Sequence, residues 1–217
     1  MFLGHFGLGF GAKKAVPAVS LGTLFFACQF ADLLWPTFVL LGVERVEIEP
    51  GATAMTPLNF VRYPYSHSLV ALCLWGFAVG VTYALVRRAR SPAALTLALL
   101  VVSHWVLDFV THRPDLPLTL NGTERFGLGL WFSIPATLVV ELAIFGAGLA
   151  LYLRTTVARD RIGSIGLWSL GAFLLIVYFA SSFAPPPPSA TAVAWSAEAM
   201  WLLVAWGYWV DNHRTPS

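Results

Sequence analysis

Ser103-His-Trp-Val-Leu-Asp-Phe-Val-Thr-His-Arg-Pro-Asp-Leu-Pro-Leu118 closes a long apolar run and carries His104, Asp108, His112 and Asp115. At about 100° per helical residue, offsets of 4, 8 and 11 from His104 place these side chains within roughly 80° of arc. Thr111 falls on the same stripe. A carboxylate one helical turn beyond a histidine has the spacing that lets both face one metal ion. The residue before a proline avoids the helical region, so Pro114 ends the helix near His112. His104 and Asp108 are therefore assigned to one helical face, and Asp115 to the exit loop. A structural polar cluster is the plainer reading. Ionisable groups are costly inside a bilayer and usually mark function there, which favours a metal or proton-handling site.

The same run decides the fold. From Pro92 to Thr111 it is nearly all apolar, and about 20 such residues cross a hydrocarbon core. The 217-residue chain is 58% hydrophobic and only 11% charged, against about 25% charged in soluble domains. These features define an integral membrane protein: all-α, a polytopic helix bundle, and a single membrane domain over residues 1–217. Residues 1–115 carry the candidate metal site and residues 116–217 supply supporting helices. Nine Trp fit interfacial anchoring. A net charge of +2 gives no basic surface for nucleic acid. Cys28 and Cys73 lie within apolar runs and read as small core residues. Lys13 and Lys14 precede an apolar run that passes Cys28 with no small-residue cleavage site, so no cleavable signal peptide is expected.

About six spans follow: Pro17 to Leu41, Ser68 to Val86, Pro92 to Thr111, Ile134 to Leu153, Gly163 to Ser182, and Ala192 to Val210. Backbone hydrogen bonding in lipid requires that they be helices. No internal repeat is apparent. Lys13, Lys14, Arg87, Arg88, Arg90, Arg154, Arg159, Arg161 and Arg214 collect on one side, and Arg45, Arg62, Arg113 and Arg125 on the other. The positive-inside rule makes the first side cytoplasmic, with both termini there.

The remaining polar residues are then placed. Residues 1–11 are apolar, hold four glycines and are too short to span. Their His5 is either interfacial or a ligand carried inward by a short helix. Asp32 is a carboxylate inside the first span, with Pro36 kinking the helix one turn later. The loop from Val43 to Ser66 is long enough for a lid or binding loop. Ser66 is placed to cap the second span, with His67 in its first turn. Asp32, His67, His104, Asp108, His112 and Asp115 all fall at the outer level, which argues for one shared site. Asn121-Gly122-Thr123 reads as a chance glycosylation sequon. Glu141 and Glu198 are spare acids that could neutralise a His or complete the site. Pro185 to Pro188 form a stiff turn, and His213 is a solvated interface residue.

His5, Asp32, His67, His104 and Asp108 are thus the candidate ligands of a divalent metal. Imidazole with carboxylate suits zinc, manganese, iron or nickel, and zinc is the default for hydrolysis. Asp108, Asp32 and Asp115 compete as general base, and His112 is placed to protonate a leaving group. A serine reading, with Ser66 or Ser68 beside His67, lacks a Gly-x-Ser-x-Gly elbow. A transporter or channel that relays protons or a cation is the alternative. It needs polar groups continuing to the cytoplasmic side, and only Glu141 and Gln29 lie deeper.

At His5, Asp32, Ser66-His67-Ser68 and His104-x-x-x-Asp108 the chain resembles the LexA-regulated, inner-membrane-associated metal-dependent hydrolase family. The match covers Met1 to Asp115. It implies a multi-pass protein of the bacterial inner membrane, with metal-dependent hydrolysis of a lipid or other phosphoester. That family often shows two acids in the first motif, where this chain has Asp32 followed by Leu33-Leu34-Trp35-Pro36. It also often shows a further His before the His-Ser pair, where this chain has Tyr63-Pro64-Tyr65.

Overall fold

Glycine decides how closely the helices approach. The computed structural model describes residues 1–88, 91–121 and 123–217, so Arg90 and the Gly122 of the sequon lie outside the described residues. Four helices are long and apolar enough to cross a membrane: α5 (Leu69–Arg87), α6 (Ser91–Thr111), α7 (Ile134–Thr155) and α8 (Arg161–Phe183). In α5, Gly76 and Gly80 form a small-xxx-small pair against α6. A Cβ on either would lie 2.7 Å from the Ala98 carbonyl oxygen or 2.9 Å from that of Ala94. Outward-facing Leu74, Phe77, Leu99, Val139, Ile165 and Ile176 are exposed, as expected of helices solvated by lipid.

The expected first span is broken. It forms α2 (Leu21–Cys28) and α3 (Phe30–Leu40), bent by 57° at Gln29. The bend precedes Asp32 instead of following it at Pro36, which α3 accommodates. Counted as one span, this pair makes five. The expected sixth, Ala192 to Val210, divides at Ala199 into α9 (Ala190–Glu198) and α10 (Met200–Asn212), neither long enough to cross alone. The described residues thus give four or five candidate spans, not six.

The glycine-rich start forms α1 (Leu3–Ala12), buried in the bundle. His5 is therefore not interfacial. Gly7 and Gly148 bring the backbones of α1 and α7 together, and a Cβ on Gly148 would overlap the Gly7 carbonyl. Phe6, Phe10 and Phe25, all fully buried, fill the centre below His5.

α1 ends where Lys13 donates to the Asp211 carboxylate at 2.7 Å and to the Val19 carbonyl at 2.8 Å. Tyr152 donates to the same Asp211 at 2.8 Å. Strands β5 (Thr156–Ala158) and β6 (Arg214–Pro216) pair antiparallel beside this latch. Nearby, His213 contacts Asp160 at 2.8 Å; that contact and the Gly163 N–H hold the Asp160 carboxyl below its usual pKa.

The opposite end is capped by segments that periodicity does not reveal. The long loop contains an antiparallel hairpin, β1 (Arg45–Ile48) with β2 (Leu58–Arg62), followed by the short helix α4 (Pro64–His67). Leu116–Pro117 (β3) pairs with Arg125–Phe126 (β4), and Leu130–Phe132 make one 3-10 turn. Trp35, Val46, Phe60, Tyr63 and Leu116 form a second apolar cluster there. Cys28 is buried as expected, but Cys73 is exposed on α5.

Candidate metal centre

Three histidines meet two aspartates where α3, α4 and α6 converge. Pro114 stops α6 at Thr111, as the sequence requires, so His104 and Asp108 stay one turn apart on a regular helix. The break at Gln29 leaves the carbonyl of Cys28, the last residue of α2, without a regular helical partner. His104 Nδ1 donates to it at 2.9 Å. His67 ends α4, and Ser68 rather than Ser66 caps α5, accepting from the Ala71 N–H. Ser66 has another task. Its hydroxyl donates to Glu44 at 2.6 Å and therefore accepts from His67 Nδ1 at 2.7 Å. Glu44 is held by the backbone N–H groups of Tyr65 and Ser66.

His112 is fixed in the same manner. Its Nδ1 lies 2.9 Å from Asp115, whose second oxygen accepts from Arg113 at 3.1 Å. Tyr63 donates to Asp115 at 3.2 Å. Burial and the Asp115 carboxylate hold the Tyr63 phenol far above its ordinary pKa, so it remains a donor.

With Nδ1 committed as donor on all three rings, each Nε2 in the neutral imidazole would carry a lone pair, and each points at carboxylate oxygen. His67 Nε2 is 3.3 Å from Asp32 and 3.9 Å from Asp108. His104 Nε2 is 3.3 Å from Asp108 and 3.7 Å from Asp32, and has no hydrogen-bond partner. His112 Nε2 is 3.8 Å from Asp108. Facing carboxylates at these distances, each Nε2 calls for a proton or a shared metal cation between the two. Two ligands about 2.1 Å from a tetrahedral ion stand about 3.4 Å apart, close to the shortest of these separations. Two overlapping groups can hold an ion: His5, His104 and Asp108, and Asp32, His67 and His104. His104 has only one free nitrogen, so the two groups describe one centre.

The five residues that the sequence put forward, His5, Asp32, His67, His104 and Asp108, thus come together in one place. His5 approaches from below, its Nε2 3.1 Å from Asp108 and its ring stacked 3.7 Å from that of His104. The Met1 nitrogen also donates to Asp108. Asp115 does not face the centre; its oxygens serve His112, Tyr63 and Arg113, which removes it from the contest for general base. Glu141 neutralises no histidine. It accepts the Phe2 and Gly4 N–H groups at 2.9 and 3.3 Å, holding the first turn of α1. Glu198 accepts from Thr37. Ser66 is fully buried and does not line the cavity, which argues against a serine nucleophile. Sequence reasoning missed Glu44 and Tyr63; a lone acid and a lone tyrosine in loops carry no spacing signal.

A cavity of about 790 Å³ opens onto the centre, with Asp32, His67, Asp108 and His112 in its wall. Most of the remaining lining is apolar, with α8, α9 and α10 contributing a large share. The Ser66 hydroxyl should matter without touching an ion. Ser66→Ala is expected to weaken zinc binding by about 10–100-fold, measured by competition with a chromophoric chelator, with helix content unchanged by circular dichroism.

No family model matches this chain, and no curated protein or solved structure matches it either.

Proposed function

We propose that this is a multi-pass, membrane-embedded, metal-dependent hydrolase of the bacterial inner membrane. Its site opens toward the outer face, and its substrate is a lipid or another phosphoester. One observation carries the reading: three imidazoles whose Nδ1 atoms are tied back turn their Nε2 atoms toward Asp32 and Asp108. That donor set suits zinc, with Asp32, His67, His104 and Asp108 as the holding residues. A divalent ion bound there would polarise the scissile group and make water a stronger acid.

The chain's own groups do the rest. His112 lines the cavity, and Asp115 keeps the proton on its Nδ1, so Nε2 is free to take a proton from water and return it to the leaving group. His5 and the Met1 nitrogen hold Asp108 from behind. The apolar walls give a hydrocarbon tail a place beside the reacting bond and keep bulk water away. The resemblance of the His-Ser pair and the His-x-x-x-Asp helix to a hydrolase family supports the same reading. Cation or proton transport gains nothing here, because Phe6, Phe10 and Phe25 fill the space between the centre and the Lys13–Asp211 end.

The test separates metal from proton transfer. Hydrolysis by zinc-loaded protein is followed across esters and phosphoesters of membrane lipids. His112→Ala should lower turnover by about 10²–10⁴-fold while bound zinc stays at the wild-type level. Loss of zinc in that variant, or unaltered turnover, would remove His112 from the role.

A further inference from the structure

A second cavity, of about 530 Å³, lies apart from the centre, with the exposed Val86 in its wall. α2 and α5 both pack against α6, and the space left between them is a groove with Leu97 of α6 in its lining. Each of the two helices has one end at the centre. α2 ends at Cys28, whose carbonyl accepts from His104, and α5 begins two residues after His67. Their other ends, Ser20 and Arg87, therefore meet at the Lys13–Asp211 end of the bundle. From Trp75 to Arg87 the helix rises about 18 Å, which covers one leaflet of a hydrocarbon core about 30 Å thick.

The wall changes character along that length. Toward the centre it is apolar, and the Phe30 and Trp75 rings stand 5.6 Å apart there. At the far end three hydroxyls line it in a chain, Ser20 to Thr23 at 2.8 Å and Thr23 to Tyr208 at 2.9 Å. Two bonds use two of the three hydroxyl protons, so one O–H is left to donate. Tyr208 is 41% exposed, which keeps the chain open to a ligand. Arg87 shares this end, exposed, and is the only charged residue in the lining. Among the described residues no carboxylate pairs with it. Asp211, one turn after Tyr208, is already engaged by Lys13 and Tyr152. The groove is thus apolar through one leaflet and ends in an unpaired guanidinium and a spare hydroxyl donor, at the level where a lipid head group begins.

We propose that this groove holds one anionic phospholipid of the surrounding leaflet. An acyl chain lies along α2 and α5, and the phosphate sits on Arg87 and the Ser20–Thr23–Tyr208 hydroxyls. Basic side chains between membrane helices recognise such head groups by charge, and a phosphodiester also accepts the hydroxyl proton. The lipid is a bound component of the fold and not a substrate, since none of the candidate metal ligands lines the groove. The proposal stands apart from the hydrolase reading.

The test uses the full chain, stripped of lipid by detergent exchange, with binding followed by native mass spectrometry. One dioleoyl phosphatidylglycerol should be retained per chain, with about 5-fold higher affinity than dioleoyl phosphatidylcholine, the factor equivalent to about 1 kcal/mol for one basic side chain near an anionic head group. Dioleoylglycerol, which has no phosphate, should bind more weakly than either. Arg87→Gln should remove the preference for phosphatidylglycerol, whereas Arg159→Gln, exposed and outside the groove, should keep it. Ala78 is exposed and lines the groove, so Ala78→Trp fills it without entering the core. That variant should weaken both phospholipids by about 10-fold. Equal binding of the two phospholipids by the wild type, or a preference that survives Arg87→Gln or is lost in Arg159→Gln, would overturn the charge assignment. Equal binding of dioleoylglycerol would overturn the phosphate assignment. A lipid that Ala78→Trp still holds at wild-type affinity is seated elsewhere, the larger cavity included, and the groove is then not its site.

Discussion

Asp108→Ala is expected to abolish stoichiometric metal binding. Wild-type protein purified without chelator is expected to carry about one divalent ion per chain by elemental analysis, and this variant almost none. His104→Ala should behave alike. Asp108 is 1% exposed, and the Nε2 atoms of His5, His67, His104 and His112 all lie within 3.1–3.9 Å of its oxygens. Partners outside the direct ligand set typically contribute about 10–100-fold in affinity, so losing the residue shared by four imidazoles should exceed that range. A ligand that binds only the folded state at 1,000 times its Kd stabilises it by about 4 kcal/mol. Zinc should therefore raise the melting temperature of the wild type and leave that of Asp108→Ala unmoved. A wild type devoid of metal, with the same melting temperature before and after chelation, would mean that the imidazoles are protonated and merely ion-paired.

Gly148→Leu should be nearly as damaging without touching the centre. The Cβ it adds would collide with the Gly7 carbonyl, and a Cβ on Gly7 would lie 2.7 Å from the Ile144 carbonyl oxygen. Backbone cannot rotate away as a side chain can, so the loss should exceed the about 1–3 kcal/mol usual for overpacking. α1 would be driven off α7, carrying His5 from Asp108 and the Phe2 and Gly4 N–H groups from Glu141. The measurement is a melting curve in detergent, together with labelling of a cysteine introduced at Leu3, which is fully buried in the wild type. Gly146→Leu is the control, since a Cβ there meets nothing within 4 Å.

The centre was more legible than the fold. His104, Asp108 and His112 follow from helical arithmetic. Asp32 and His67 follow from the cost of burying charge and from topology. Hydropathy finds α5 to α8 because each is continuous, but it reads through Gln29 and Ala199, where the apolar run persists and the backbone does not. Gly76-x-x-x-Gly80 was a readable packing signal. The hairpin of β1 and β2, and the Glu44–Ser66–His67 relay that joins its two flanks, depend on pairings across the loop that no local period encodes.

α1 also constrains biogenesis. Ten residues are too few to be retained as a crossing by the insertion machinery, and the groove that receives them is made by α7, more than a hundred residues later in the chain. At about 5–20 residues per second, synthesis of that partner lags by several seconds or more. During this interval His5 has no Asp108 to meet. Seating of the helix then waits for α7, and the candidate centre is assembled only when it docks.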